Sequence, residues 1–274
     1  MLKVYISADI EGVNGIVYPS QISKMGGDDY FKARKQQILE LNYLIQATFD
    51  AGATHVTVND AHSSMDNIDI LELHPHAELI TGKPKLISMM HGLDETYSCV
   101  IFAGYHAMAG NDKGVLSHTF STIFRNIYLN NEEIGEIGLN SIFAGIKNVP
   151  VSFLYGDIAA CEEVKDFLGD ISTVWTKQAS STTSAICKPN AKLIEELKIT
   201  IQNALKNQKN WKIKKTEAPY ELKISFSNKE FADLASLLPF IKRISPFEIV
   251  YKDNEFENIY RLLQFLAGNL TLPA

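Results

Sequence analysis

Four short runs, LKVYISAD, THVTVNDAH, SCVIFAGYHAM and VPVSFLYGD, are rich in β-branched and aromatic residues, and each ends in polar residues or glycine. Runs of that length and composition read as buried strands. Between them lie stretches with apolar residues at three-and-four spacing. In YFKARKQQILELNYLIQATFDAG the residues Ile38, Leu41, Ile45 and Phe49 share one helix face, and Gly52 is placed as a C-cap. GEIGLNSIFAGIKN has Ile137, Ile142, Phe143 and Ile146 for a face packed on a sheet. IAACEEVKDFLGD is again helical in period, with Asp157 before it as an N-cap. Strand alternating with helix predicts an α/β fold, a mostly parallel sheet flanked by helices. Ligands in such sheets gather at the carboxyl ends of the strands.

Further along, AKLIEELKITIQNAL reads as a helix, and the lysine-rich LKNQKNWKIKK as its end and a solvated connection. YELKISFS, KEFADLASLLP, FEIVYKD and EFENIYRLLQFLAG then read as strand, helix, strand and helix. The expected organisation is an α/β domain over 1–175 and a smaller C-terminal α+β domain over 176–274.

The formal net charge of −6 and pI near 5.7 provide no overall attraction to nucleic acid or an anionic membrane. The N-terminal apolar run is short and broken by Asp9, unlike a signal peptide, and no 18-residue apolar stretch follows. A cytoplasmic protein with no nucleic-acid or membrane partner is expected. Cys99, Cys161 and Cys187 are odd in number and form no C-x-x-C pair, so they are expected to be buried, inert thiols.

Asp9 and Glu11 lie two residues apart at the end of the first strand. If the strand persists they share a face, and two carboxylates there repel unless a cation lies between them. If it has ended, they are turn residues beside Gly12 and Gly15. VTVNDAH delivers Asn59, Asp60 and His62 past the second strand, and VIFAGYHAM delivers His106 past another. Two histidines and two carboxylates at separate strand exits would converge on one edge of the sheet. Imidazole and carboxylate without thiolate suit a hydrolytic zinc or manganese site, and a bridging carboxylate suits a two-metal one. His118, in GVLSHTF, is either a further functional group or an exposed loop residue. Glu136 is either a ligand or a first-turn acid favoured by the helix dipole. His55, His74, His76 and His91 are expected to be structural.

SADIEG, VNDAHSSMDN, GYHAM, LSHTF and GEIGLN, in this order and at these separations, closely resemble the zinc-dependent D-aminopeptidases of the DppA type. These motifs span residues 7–140, and the likeness in length and general pattern runs through the chain. The resemblance implies two zinc ions per subunit, other divalent metals being possible. It implies that Asp9 bridges them, that Glu11 and His62 bind the first, and that His106 and Glu136 bind the second. It gives His118 a direct catalytic role, as nucleophile or base. It also implies peptide substrates with an N-terminal D-amino acid, such as D-Ala-D-Ala, and a homo-oligomer, a decamer of two pentameric rings.

The expected function is therefore hydrolysis of short peptides from the N-terminus by a two-zinc-activated water. Two alternatives stay open at the level of sequence. One is another dinuclear metallohydrolase, acting on a cyclic amide or a phosphate ester. The other is a non-catalytic peptide-binding protein of a transport system.

Overall fold

The computed structural model of the chain describes residues 1–271. Its strands are β1 (Leu2–Ala8), β2 (Ala53–Asp60), β3 (Glu78–Ile80), β4 (Cys99–Tyr105), β5 (Phe124–Leu129), β6 (Glu132–Glu133), β7 (Val151–Gly156), β8 (Ser172–Trp175), β9 (Lys177–Ser181), β10 (Ser184–Cys187), β11 (Tyr220–Phe226), β12 (Lys242–Ser245) and β13 (Glu248–Asp253). The helices are α1 (Asp28–Asp50), α2 (Glu136–Ile146), α3 (Ile158–Leu168), α4 (Asn190–Lys206), α5 (Lys229–Ala235) and α6 (Phe256–Asn269).

Six strands form one sheet in the order β3-β2-β1-β4-β7-β8, with every neighbouring pair parallel. The chain builds outward from β1 on one side and then, from β4, outward on the other. The order reverses between β1 and β4, and the crevice beyond their carboxyl ends is where doubly wound sheets bind ligands.

Both faces of this sheet are covered, which is why its central strands read as continuous apolar runs. Val4, Ile6 and Ala8 of β1 enter one core with Leu41 and Leu44 of α1 and Leu193 and Leu197 of α4. Tyr5 of β1 and Phe102 of β4 enter the other, with Ile137 of α2, Val164 of α3, Ile224 of β11 and Leu263 of α6. Full burial of each such aliphatic side chain contributes roughly 1.5–3 kcal/mol.

A second, antiparallel sheet has the order β12-β13-β11-β5-β6, and β9 pairs with β10 as a hairpin. This sheet takes β5 and β6 from before residue 175 and its remaining strands from after it, while α4, also after it, packs on the parallel sheet. Buried polar groups tie the layers together. The Ser7 and Tyr105 hydroxyls are 2.7 Å apart, Asn140 Nδ2 donates to the Tyr105 hydroxyl at 2.8 Å, and the Tyr260 hydroxyl donates to Asn140 Oδ1 at 2.6 Å. β1, β4, α2 and α6 are thereby joined directly beneath the sheet's switch point.

The thiols differ in part from expectation. Cys99 and Cys161 are buried and free, with burial pushing both up to about 12, but Cys187 is exposed on the short β10. Asp157 is an N-cap as expected: Oδ1 accepts from Ala160 N at 2.8 Å, and Oδ2 also accepts from Val115 N at 2.9 Å. Replacing it with alanine removes a helix cap and leaves a buried amide unpaired. Asp157→Ala is expected to lose about 2–4 kcal/mol in denaturant unfolding, and a loss under about 0.5 kcal/mol, the usual range for a surface change, would contradict this dual role.

Candidate metal centre

The segment after β1 leaves the strand but stays against β4. Asp9 N donates to Ala103 O and Gly12 N to Gly104 O, both at 2.8 Å. The approach is so close that a Cβ on Gly12 would lie 1.8 Å from the Tyr105 carbonyl oxygen, and one on Gly104, at φ +69°, would lie 2.5 Å from the Asp9 carbonyl oxygen. Glycine at both positions lets two backbones meet where a side chain would part them.

Buried side chains then hold the carbonyls of this turn. Gln37 of α1 donates to Asp9 O at 2.9 Å, Thr176 to Gly12 O at 2.6 Å, and the Lys177 ammonium to Glu11 O and, at 2.6 Å, to Val13 O. Gln37, Thr176 and Lys177 are fully buried. Burial holds the Lys177 ammonium down to about 8. With its backbone fixed this way, the turn aims both carboxylates into the crevice.

His62 arrives from the turn after β2. Asp60 accepts from Asn67 N and Ile68 N, and Asn67 Nδ2 donates to His62 O at 2.7 Å, so the loop folds around Asp60 and leaves the imidazole inward. Asn59 turns the other way, donating to Met89 O and accepting from Lys85 Nζ. Asn59 and Asp60, considered with His62 from the sequence, thus support the site from outside it. His106 follows β4, and Glu136 opens α2 with its Oε1 accepting from Phe120 N at 2.5 Å. His118 lies between Leu116 at φ 54° and Phe120 at φ 58°, two left-handed residues that cost of order 1–3 kcal/mol each and persist only where surroundings hold them.

The six side chains meet. His62 Nδ1 is 3.0 Å from Glu11 Oε2 and 3.4 Å from Asp9 Oδ1. His106 Nε2 is 3.4 Å from Asp9 Oδ2 and 3.5 Å from Glu136 Oε2. His118 Nε2 is 3.9 Å from Glu11 Oε1, and its ring stacks on that of His106 with centroids 4.2 Å apart. Three overlapping groups, Asp9–Glu11–His62, Asp9–His106–Glu136 and Glu11–His106–His118, have ligand atoms within 4.8 Å of one another. No other such group occurs among the described residues.

Each imidazole also has a carbonyl behind it: Ile22 O at 2.7 Å from His62 Nε2, Ala107 O at 2.9 Å from His106 Nδ1, and Leu116 O at 2.8 Å from His118 Nδ1. A carbonyl only accepts, so the proton sits on that nitrogen and the opposite one faces the cluster. This is the orientation of a metal-ligating histidine.

Charge leads to the same conclusion. Asp9 Oδ2 and Glu11 Oε2 are buried and accept no hydrogen bond from the described residues. Burial, with Glu11 beside it, raises the Asp9 carboxyl to about 7. Burial also pushes Glu11 up, but His62 outweighs it and holds the carboxyl well below its usual range. Burial lowers His62 and His106, and their carboxylate neighbours more than reverse this, raising both well above the usual imidazole value. The buried carboxylates thus favour positive charge beside them, and the donor set fits divalent metal: the positive charge the cluster lacks is what a metal supplies.

A sequence profile of the D-aminopeptidase family matches residues 2–265. The chain belongs to the D-aminopeptidase family. A curated D-aminopeptidase of Bacillus subtilis (strain 168) is 37% identical over 240 residues, covering 87% of this chain and 86% of that protein. The solved structure of the "Zn-dependent D-aminopeptidase DppA from Bacillus subtilis, a self-compartmentalizing protease" matches with a TM-score of 0.95 at 32% identity, over 99% of this chain and 100% of that one. Of the residues singled out in this D-aminopeptidase from sequence, Asp9, Glu11, His62, His106, His118 and Glu136 come together, while His55, His74, His76 and His91 lie outside all three groups. Gln37, Thr176 and Lys177 carry no local signal of their part.

Lys177→Met keeps the length of the stem but removes both carbonyl contacts. It is expected to cost about 1–3 kcal/mol of stability and to weaken metal retention against a chelator. Wild-type retention and an unchanged unfolding midpoint would mean that the turn does not depend on this ammonium.

Proposed function

We propose that this enzyme is a two-zinc aminopeptidase that releases the N-terminal D-residue of short peptides such as D-Ala-D-Ala. The observation that carries the reading is Asp9, whose Oδ1 faces His62 and whose Oδ2 faces His106. One carboxylate thus belongs to both halves of the cluster, with Glu11 and His62 completing one zinc site and His106 and Glu136 the other. Zinc bound there would act as a Lewis acid on the scissile carbonyl and lower the pKa of the attacking water.

The protein's own groups handle binding and protons. A buried carboxylate cluster attracts the free amine of a peptide, which favours cleavage from the N-terminus. His118 is the most exposed of the six, with a side chain 18% accessible; it lines the cavity, with Nδ1 tied to Leu116 O and Nε2 3.9 Å from Glu11 Oε1. We assign it to take a proton from the attacking water and deliver it to the leaving amine. Its ring neither needs nor gains from covalent attack when an activated water is at hand.

The description of the Bacillus subtilis relative as Zn-dependent and self-compartmentalizing supports zinc as the metal and a homo-oligomeric assembly. A decamer of two pentameric rings in the cytoplasm extends this reading. Among the described residues no helix is long and apolar enough to cross a membrane.

The purified wild type is expected to contain up to two zincs per chain and to release D-alanine from D-Ala-D-Ala in a chelator-sensitive way. Asp9→Ala is expected to lose both metal and turnover; near-normal values of each would end the two-metal reading. His118→Ala is expected to keep its zinc and lose about 10²–10⁴-fold in kcat, the usual contribution of a general acid–base group. Loss of zinc in that variant would instead make His118 a ligand, in keeping with its place beside Glu11 and His106.

A further inference from the structure

The cavity above the cluster is small, about 100 Å³, against roughly 300–1,000 Å³ for typical ligand pockets. It has room for the end of a peptide with small side chains, so the remainder of the substrate must meet the cavity's margin. Its wall includes Asp9, His62, His106, His118 and Glu136, and one side chain of permanent positive character, Lys83. The segment bearing Lys83 is tethered on both sides. Thr81 Oγ1 donates to Met65 O at 3.1 Å and Gly82 N to the same carbonyl at 2.5 Å, while the buried Lys85 ammonium donates to Asn59 Oδ1, Asp60 O and Ile80 O.

The Lys83 side chain itself forms no ion pair and no hydrogen bond among the described residues. Asp66, the nearby carboxylate, is engaged by Lys24 at 2.5 Å and by Ser64. Lys83 is exposed as a residue, yet desolvation holds its ammonium below the usual lysine range. A cation on a tethered backbone, with no ion pair of its own among the described residues, borders a site whose proposed substrate has a carboxylate at one end.

We propose that Lys83 is a specificity-determining residue, its ammonium receiving the C-terminal carboxylate of a short peptide whose N-terminal residue lies at the Asp9–His106 cluster. The assignment rests on the peptidase reading above and narrows it. The enzyme then measures its substrate from amine to carboxylate, selecting free dipeptides and similarly short peptides over longer chains and over amides. A charge-assisted contact of this kind typically contributes about tenfold or more in transition-state binding.

The experiment compares kcat/KM for D-Ala-D-Ala and for D-Ala-D-Ala amide in wild type, Lys83→Met and Lys83→Arg, with zinc content measured in each. The wild type is expected to prefer the free acid by about tenfold or more, Lys83→Met to bring the ratio to within about twofold of one, and Lys83→Arg to restore most of the preference. An acid-to-amide ratio near one in wild type, or a ratio unchanged in Lys83→Met at equal zinc content, would overturn the assignment. Failure of the wild type to hydrolyse either compound would overturn the peptidase reading, and the Lys83 assignment with it.

Discussion

Three carboxylates, those of Asp9, Glu11 and Glu136, are buried within one cluster, each at 5% exposure or less. Burying even one unpaired carboxylate costs several kcal/mol, and grouping three adds mutual repulsion. Much of the surrounding structure serves to tolerate or answer that charge. Three imidazoles face it, each held by a backbone carbonyl at its far nitrogen. A fold selected for stability alone would have placed aliphatic groups here. The arrangement makes sense as a site that reaches its preferred state with cations bound, so that metal binding stabilises the folded protein as well as equipping it for hydrolysis.

The position of the cluster follows from topology. Strand order reverses between β1 and β4, which leaves an open crevice where neither connecting chain passes over. β1 contributes the turn with Asp9 and Glu11, β2 the loop with His62, β4 the loop with His106, and α2 begins with Glu136. Close packing of the Gly12 and Gly104 backbones brings the first and third of these together. The same sheet could support unrelated chemistry, and family membership together with the ligand set is what makes it a peptidase.

The parallel part of the fold was legible because its central strands are buried on both faces and end abruptly. LKVYISAD, THVTVNDAH, SCVIFAGYHAM and VPVSFLYGD became β1, β2, β4 and β7. The strands not foreseen are short or depend on distant pairing, and β3, β5 and β8 show why. β3 and β8 are edge strands of three and four residues, too short to show a period. β5 contains Arg125 and Asn126, and only its pairing with β11, far along the chain, makes it a strand. The candidate ligands stood out because a carboxylate or imidazole interrupts an apolar run. Asp60 interrupts one equally well, yet it organises the loop around His62. Lys177 was invisible for the opposite reason: a lysine in a short strand reads as a solvated residue, and its carbonyl partners lie more than 160 positions away.

α6 bounds the site rather than supplying its chemistry. α6 packs under the switch point through Tyr260 and reaches the cavity with Gln264, Ala267 and Gly268. Gln264 also donates to Lys85 O, so the helix touches the same tethered segment that bears Lys83. The clustered carboxylates and imidazoles come from the strand exits of the parallel sheet and the start of α2, while other parts of the cavity wall come from α6 and from Lys83. The two sets of residues are nearly separate, linked through Asn140, which lies one turn beyond Glu136 and accepts from Tyr260. The cavity lining can therefore vary at α6 and Lys83 without touching the buried charge cluster of Asp9, Glu11, His62, His106 and Glu136.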